Sequence, residues 1–229
     1  SVLMSVYKKE NPEYLRASLE SILVQTRTAD EILLIEDGPL TQELYQVVAE
    51  YQKKCDYLHV HAMEQNVQLG RALAKGVELC QYDLIARMDT DDIAMPHRLE
   101  KEGAYMEAHP EVDVVGGAIR EFNDEGTIDR VKNMPKTQEE ILEYVKVRNP
   151  LNHMTVMYRK DSILKAGNYK HFPFLEDYSL WSRMLSQGYQ FRNMEDILVR
   201  ARTSMGLVKR RSGWAYYKAV SYTHLTLPT

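Results

Sequence analysis

The fold is decided where an apolar strand runs into an acidic turn, in residues 82–92, which read YDLIARMDTDD. The segment Tyr82–Ala86 has the composition of a buried strand, and Asp89, Asp91 and Asp92 follow just after it. Open α/β sheets bind their ligands beyond the carboxyl ends of the strands. This stretch therefore predicts both an α/β sheet and a ligand site at its edge.

Strands and helices alternate upstream of this turn. Further strands are predicted at Val2–Tyr7, Glu31–Ile35 and Tyr57–His61, with a helix after each of them. The first helix carries a clear start signal, a capping Asn11 followed by Pro12, and Thr41 is expected to start the second helix. Continuous apolar strands suit a parallel sheet that is covered on both faces. The order βαβαβαβ predicts a doubly wound, mostly parallel sheet with helices on both faces.

The second half of the chain has a different rhythm but shows no internal repeat or linker, so we expect it to complete the same globule. The predicted elements are a helix from Pro96 to about Ala108, a strand Val112–Phe122, a hairpin turn Asn123–Gly126, a helix from a Thr137/Glu140 capping box to about Val147, a strand Met154–Tyr158 and a helix Asp177–Gln187.

Composition excludes several classes of protein. The 229 residues are 44% hydrophobic and 27% charged, which is typical of a folded globular chain. The net charge of -4 disfavours nucleic acid as a partner. Two cysteines without a CxxC pair exclude a disulfide scaffold and favour a reducing compartment, so we expect a cytoplasmic protein.

The acidic cluster Asp89-Thr90-Asp91-Asp92 is the main chemical signal. Its three carboxylates repel one another unless a cation binds between them. Hard oxygen ligands at positions i and i+2 suit Mg²⁺ or Mn²⁺. The alternative interpretation is a solvated acidic turn that caps the following helix.

A second signal, Glu36-Asp37-Gly38, lies at the end of the second strand. The Asp37 carboxylate could accept the N3–H of a uracil, and Gly38 would let the backbone approach the ligand closely. An ordinary strand-to-helix turn is the alternative.

A third signal is the acid pair Glu176-Asp177 at the start of a helix, with Trp181 one turn later. An aspartate beside an aromatic wall could accept a proton from a sugar hydroxyl. The alternative interpretation is that the acid pair only caps the helix and that Trp181 is a core residue.

These signals occur together in a pattern that resembles glycosyltransferase family 2, and most resembles its bacterial members that build capsule and exopolysaccharide. The resemblance runs from residue 1 to about residue 213 and rests on Ser5-Val6-Tyr7, Glu36-Asp37-Gly38, Asn66–Gly70, Ala86–Asp92, Arg148–His153 and Glu176–Trp181. It implies the GT-A fold, a nucleotide-sugar donor, a divalent metal and inversion at the anomeric carbon.

 The sugar is expected to come from a UDP-linked donor and to pass to a saccharide or a lipid-linked saccharide.

On the donor side, the resemblance implies that Ser5 and Tyr7, at the end of the first strand, lie against the nucleotide, and that Asp37 accepts from the uracil. It implies that Asp89 and Asp91 form the aspartate-any-aspartate motif, which contacts the ribose and holds Mg²⁺ or Mn²⁺ at the donor diphosphate. This chain departs from the family in one loop, where Gln68 replaces the first Gly of the usual Asn-any-Gly-Leu-Gly pattern.

On the acceptor side, the resemblance implies that Asp177 is the catalytic base. Asn149 and His153 match the acceptor-side segment of the family, and Glu176 and Trp181 are expected beside the same acceptor.

Three other classes compete with this interpretation. A phosphatase with an aspartate-any-aspartate motif would carry Thr or Val soon after it, whereas Asp92-Ile93 follows here. A nucleotidylyltransferase needs a Gly-rich, Arg-containing loop, which Ser5–Pro12 lacks. A non-catalytic nucleotide-sugar-binding module remains the principal alternative.

The ends of the chain have their own interpretation. Residues 221–229 resemble a translated sequencing adapter, so we expect residues 1–220 to form a single GT-A domain, clipped at both ends, and residues 221–229 to be non-native. Residues 178–220 contain eight basic and two acidic residues. The triplet Lys209-Arg210-Arg211 could meet a diphosphate or the inner face of the membrane, or could be a solvated surface.

Overall fold

The computed structural model describes residues 1–203, which form one nine-stranded sheet with helices on both faces. The strands are β1 (Val2–Val6), β2 (Ile32–Glu36), β3 (Leu58–Ala62), β4 (Leu84–Asp89), β5 (Ile93–Ala94), β6 (Val114–Phe122), β7 (Asp129–Lys132), β8 (Met157–Arg159) and β9 (Phe191–Arg202). The helices are α1 (Pro12–Leu23), α2 (Gln42–Lys54), α3 (Leu69–Leu79), α4 (Arg98–Ala108), α5 (Gln138–Tyr144), α6 (Lys160–Lys165) and α7 (Glu176–Ser186), and a 3₁₀ turn spans His153–Thr155.

The strand order is β3-β2-β1-β4-β8-β6-β9-β5, with β7 on the side of β6. The four strands β3, β2, β1 and β4 are parallel, as their alternation with helices predicts. The chain order reverses between β1 and β4, which is the point where such sheets open a crevice for a ligand. In the register of this pair, Ser5 lies opposite Asp89.

Two apolar layers cover the two faces of the sheet. Val2, Met4 and Val6 of β1 point into a layer that also takes the apolar faces of α1, α2 and α4. Leu3, between them, points the other way, into a layer with α3, α6 and α7. This alternation explains why β1 has consecutive apolar residues at Val2–Met4 rather than one at every second position.

The predicted helix starts are confirmed by their caps. Asn11 accepts a hydrogen bond from the backbone of Glu13, and Thr41 accepts one from Leu44. Thr137 and Glu140 form the reciprocal capping box that the sequence predicts. Each of these side chains satisfies a backbone N–H that the first turn of the helix leaves without a partner.

Several boundaries and elements differ from the sequence prediction. Strand β4 continues to Asp89, so the first aspartate of the cluster is its last residue rather than part of the turn. Helix α5 ends at Tyr144, and the 3₁₀ turn replaces the first part of the strand predicted at Met154–Tyr158. The short elements β5 and α6 and the long strand β9 were not predicted from the sequence.

The adapter-like segment 221–229 and the basic triplet 209–211 lie outside the described residues. Over residues 1–203, no helix combines the length and the apolar character that a membrane crossing requires.

Candidate active site

The strand-end cavity, as we call it, lies at the carboxyl ends of the parallel strands and has a volume of about 720 Å³. Ser5 and Tyr7 line it from the end of β1, Asp37 from the end of β2, and Asp89 and Asp91 from the end of β4. All five residues that the sequence analysis assigned to the donor nucleotide and its metal therefore lie on one cavity.

The acidic cluster forms part of the wall of this cavity. Asp89, Asp91 and Asp92 each offer a carboxylate oxygen, and these oxygens lie within 4.8 Å of one another. Burial, followed by the charges of Asp89 and Glu10, raises the pKa of Asp91 to about 7. Burial, followed by the charges of Asp89 and Asp91, also raises the pKa of Asp92. The crowding therefore favours either a proton or a cation between these groups.

Two arginines hold the cluster from behind, Arg87 through its side chain and Arg202 through its backbone. Arg87, fully buried in β4, donates from Nη1 to Asp89 Oδ2 at 2.5 Å and pairs through Nη2 with Oδ1. The backbone N–H of Arg202, in β9, donates to Asp92 Oδ1 at 2.7 Å. The sequence analysis assigned no role to either arginine. Arg87 could have been noticed as a cation inside an otherwise apolar strand.

The cluster fits a hard divalent cation. Asp92 Oδ2 is buried and has no hydrogen-bond partner among the described residues. Buried polar atoms are rarely left in this state, because each lost hydrogen bond costs free energy. A carboxylate oxygen without a donor, beside two further carboxylates, is the ligand set that Mg²⁺ and Mn²⁺ prefer.

Asp37 directly follows the last residue of β2 and also hydrogen-bonds the loop at Asn66 and Val67. Its carboxylate accepts from Asn66 Nδ2 at 2.8 Å and from the backbone N–H of Val67 at 2.6 Å. Each carboxylate oxygen has a second lone pair for another donor. Burial raises the pKa of Asp37.

Two glycines allow close packing around this loop. Gly38 has a φ of +83°, and a Cβ there would lie 2.5 Å from the backbone nitrogen of Asn66. The close backbone approach expected at Gly38 is therefore made to the chain itself. A Cβ at Gly70 would lie 2.7 Å from the carbonyl oxygen of Lys170, so the start of α3 packs directly on the loop before α7.

Gln68, the departure from the family pattern, has a φ of +72° and a ψ of 156°. This region of conformational space is almost exclusive to glycine. The backbone here thus keeps the shape that the usual glycine would give, although the residue has a side chain, and that residue lines the strand-end cavity.

A second cavity of about 260 Å³, the Asp177 cavity, adjoins the first, and Phe174 lines both. Asn149, His153 and Asp177, the predicted acceptor-side residues and base, all line it. Asn149 Nδ2 donates to Asp177 Oδ2 at 2.6 Å, and the backbone N–H of Tyr178 donates to Oδ1 at 2.7 Å. These contacts orient the carboxylate at the start of α7.

His153 lies behind this carboxylate as a neutral imidazole. Its Nδ1 is 3.9 Å from Asp177 Oδ2, and its Nε2 is 2.9 Å from the hydroxyl of Tyr169. Burial, followed by the charge of Arg87, keeps the pKa of His153 well below its usual value. His153 is therefore uncharged near neutral pH, and at 3.9 Å from Asp177 Oδ2 it packs beside that carboxylate without a hydrogen bond to it.

Two residues expected beside the acceptor, Glu176 and Trp181, do not line the Asp177 cavity. Glu176 lines the strand-end cavity and not the Asp177 cavity, because consecutive residues of a helix point about 100° apart. Burial, followed by the charge of Asp177, raises the pKa of Glu176 to about 7. Trp181 is fully buried and packs edge-on against Phe191, so it belongs to the core and forms no wall of either cavity.

Comparison with known proteins agrees with this geometry. Residues 1–171 match the family described as glycosyl transferase family 2. The chain is 43% identical over 219 residues to the amylovoran biosynthesis glycosyltransferase AmsE of Erwinia amylovora, covering 96% of this chain and 82% of that protein. It is 35% identical over 222 residues to the Escherichia coli UDP-Gal:alpha-D-GlcNAc-diphosphoundecaprenol beta-1,3-galactosyltransferase, covering 94% and 78% of the two chains.

Solved structures share the fold at low identity. Residues 1–349 of S. aureus TarS in complex with UDP-GlcNAc superpose with a TM-score of 0.76 at 18% identity, covering 100% of this chain and 67% of that one. The mannosyltransferase PcManGT from Pyrobaculum calidifontis, in complex with GDP-Man and Mn2+, gives a TM-score of 0.69 at 12% identity, over 98% and 69% of the chains. The strand-end acids, the fold and the sequence match lead to one assignment: the chain belongs to glycosyltransferase family 2 and has the GT-A fold.

Proposed function

We propose that this chain transfers a sugar from a UDP-sugar, with inversion, to a saccharide or lipid-linked saccharide during cell-surface polysaccharide assembly. One observation carries the proposal: the acidic cluster and Asp177 lie on two adjoining cavities, which gives a donor and an acceptor separate places. The relatives named for amylovoran and for a lipid-linked galactosyl acceptor support the polysaccharide role.

The donor nucleotide belongs in the strand-end cavity. Asp37 has lone pairs left for the N3–H of uracil, and Ser5 and Tyr7 lie beside it. The neighbouring structure with UDP-GlcNAc supports a uridine nucleotide, whereas the one with GDP-Man is the reason to test the base directly.

Asp91 and Asp89, with Asp92 behind them, would hold a divalent cation at the donor diphosphate. When bound, such a cation neutralises the charge that develops on the diphosphate as it leaves. Arg87 keeps Asp89 in place through its paired hydrogen bonds, so this part of the cluster is organised before any ligand arrives.

Asp177 is the proposed base. It removes the proton of the acceptor hydroxyl as that oxygen attacks the anomeric carbon, and the nucleoside diphosphate leaves from the opposite face. Asn149 and the N–H of Tyr178 hold the carboxylate in position. One direct displacement needs one base and inverts the anomeric carbon, whereas a double displacement would need a nucleophile as well.

Membrane association follows from the proposal only where the acceptor is lipid-linked. The protein would then act at the inner face of the membrane while remaining a cytoplasmic enzyme. Vesicle sedimentation with and without anionic lipid would test this part separately.

The decisive experiment is a donor panel. Release of the nucleoside diphosphate is measured with UDP-, dTDP-, GDP- and CDP-sugars, in EDTA and after Mn²⁺ or Mg²⁺ is added. We expect turnover of a UDP-sugar that EDTA abolishes and metal restores, and a product whose anomeric configuration, read by NMR, is opposite to that of the donor.

Other results would contradict specific parts of the proposal. Full activity in EDTA would contradict the metal requirement. Retention of the anomeric configuration would contradict the single displacement. Tight binding of UDP without turnover of any donor would favour the non-catalytic nucleotide-sugar-binding module.

A further inference from the structure

Phe174 holds an unusual place between the two cavities. It lines both the strand-end cavity and the Asp177 cavity, and 55% of its surface is exposed. Phe172, two residues earlier, lines only the strand-end cavity and packs against the apolar layer under α7. The chain thus places one phenyl ring against the core and leaves the next one at the junction of donor and acceptor spaces.

The backbone at Phe174 is in a conformation that phenylalanine disfavours. The N–H of Leu175 donates to the carbonyl of Phe172 at 3.0 Å, which closes a turn over residues 172–175. Pro173 is the second residue of this turn, and Phe174, the third, has a φ of +70°. Proline followed by a residue with positive φ is the pattern of a type II turn, whose third residue is usually glycine.

The exposed ring does not recover this cost by burial. A bulky residue in the left-handed region is uncommon, and strain of this kind persists where the surrounding structure or the function requires it. Glycine would satisfy the turn better, so the phenyl ring at this position calls for a reason outside the fold of the turn.

The chemistry of the junction supplies that reason. Sugar rings carry hydroxyl groups on their edges and expose C–H groups on their faces, and these faces pack well on the electron-rich face of an aromatic ring. Asp177, Asn149 and His153 offer polar contacts for hydroxyl groups in the same cavity. A ring beside them completes a site that has both the apolar and the polar surface of a saccharide.

We infer that Phe174 is the platform on which the acceptor sugar ring stacks while its hydroxyl reaches Asp177. This inference rests on the proposed function, since it assumes that the Asp177 cavity receives a saccharide. Phe174 is then a positioning residue that contributes to acceptor binding and leaves the nucleotide contacts unchanged.

Three substitutions separate this role from a structural one. Phe174→Gly removes the ring and relaxes the turn, Phe174→Ala removes the ring and keeps the strain, and Phe174→Tyr keeps the ring. Tyr82→Ala is the matched control, because Tyr82 is 43% exposed but precedes β4 at the opposite end of the sheet.

The assay measures transfer to methyl glycosides of glucose, galactose, N-acetylglucosamine and N-acetylgalactosamine, using the donor that the wild type turns over. Calorimetric titration of UDP and of the UDP-sugar, and thermal unfolding, accompany it. We expect the Gly and Ala variants to raise the acceptor KM about tenfold or more, with kcat less affected, and the Tyr variant to stay within about threefold of wild type. Phe174→Gly should unfold at the same temperature as wild type or higher.

The outcomes also distinguish the two proposals. A wild type that turns over no donor contradicts the proposed function. Donor turnover with an unchanged acceptor KM in the Gly and Ala variants overturns the platform alone, as does donor turnover that no glycoside of the panel accelerates. Weaker binding of the UDP-sugar with unchanged binding of UDP would assign the ring to the donor sugar and likewise overturn it.

Discussion

At the scale of single residues, Arg87 is the clearest example of a charge that the fold needs and the site uses. It is fully buried, and its charge is balanced by Asp89 at the edge of the strand-end cavity. Removing one member of a buried ion pair leaves the other uncompensated, which costs about 3–5 kcal/mol. The pairing is local, because residues two apart in a strand face the same side, so Arg87 and Asp89 of β4 meet without help from a distant element.

Replacement of Arg87 by Met should therefore lower the free energy of unfolding, but by less than the roughly 3–5 kcal/mol of a fully buried pair, because the Asp89 side chain is 29% exposed. The measurement is urea unfolding in EDTA. The double variant Arg87→Met/Asp89→Asn should recover part of the loss, since it removes both charges. Equal stability of Arg87→Met and wild type would show that the pair is not coupled to folding.

The role of Asp177 leads to a different prediction. Asp177→Asn keeps the shape of the side chain but removes the base, so kcat should fall by about 10²–10⁴-fold with little change in UDP affinity. Asp161→Asn is a suitable control, because the Asp161 side chain is 80% exposed on α6. Loss of UDP binding with an unchanged kcat would place Asp177 in the donor site instead.

Asp37 is predicted to select the base of the nucleotide. A hydrogen bond to a charged group contributes roughly 1.5–3 kcal/mol, so Asp37→Ala should weaken UDP binding by about one to two orders of magnitude. The loss should be smaller for CDP and GDP. Asn66→Ala serves as the control, since it loosens the same loop contact but keeps the carboxylate. Equal affinities of the wild type for all these diphosphates would make Asp37 a structural residue only.

At the scale of elements, local signals predicted the starts of helices better than the last strands. Asn11, Thr41 and Thr137 all cap helices as expected, because a cap depends on neighbours within one turn. Strand β9 was missed because its pairing with β6 shifts register near Glu195-Asp196. This irregularity interrupts the two-residue alternation by which a strand is recognised in sequence.

Helix α3 packs closely on the loop before α7 at Gly70. Gly70→Ala would place a Cβ against the carbonyl of Lys170, and that backbone must move. We expect weaker UDP binding, by about tenfold, and a lower melting temperature. Gly103→Ala is the matched control: its Cβ would meet the flexible end of Arg27, so a helix that exchanges Gly for Ala should gain or keep stability. Unchanged UDP binding in Gly70→Ala would contradict the argument.

At the scale of the whole molecule, the sequence grouped the site residues correctly wherever they follow parallel strands. Ser5, Asp37 and Asp89 meet because the carboxyl ends of these strands share one edge of the sheet. Glu176 and Trp181 lie outside the Asp177 cavity, because their placement depends on the rotation of α7 about its axis. That rotation is set by packing against distant residues such as Phe191, which spacing within the helix does not reveal.

The pH dependence of stability should reflect Glu176. Its pKa is about 7 in the folded chain and near 4.5 in the unfolded chain, so between these values the folded state binds the extra proton. Stability is therefore lost as the pH rises from about 4.5 to about 7. Thermal unfolding in EDTA should show Glu176→Gln gaining on wild type between pH 5 and pH 8. A constant difference across this range would show that Glu176 titrates normally.

Strand β9 ties the last described part of the chain to the first half of the site. It pairs with β6 and β5, and at its end the backbone of Arg202 caps Asp92. On a ribosome, the nascent chain makes β1 to β4 long before β9 is synthesised. The acidic groups therefore lack this hydrogen bond until residue 202 has left the exit tunnel. The donor pocket is completed late in synthesis, although most of its residues are translated early.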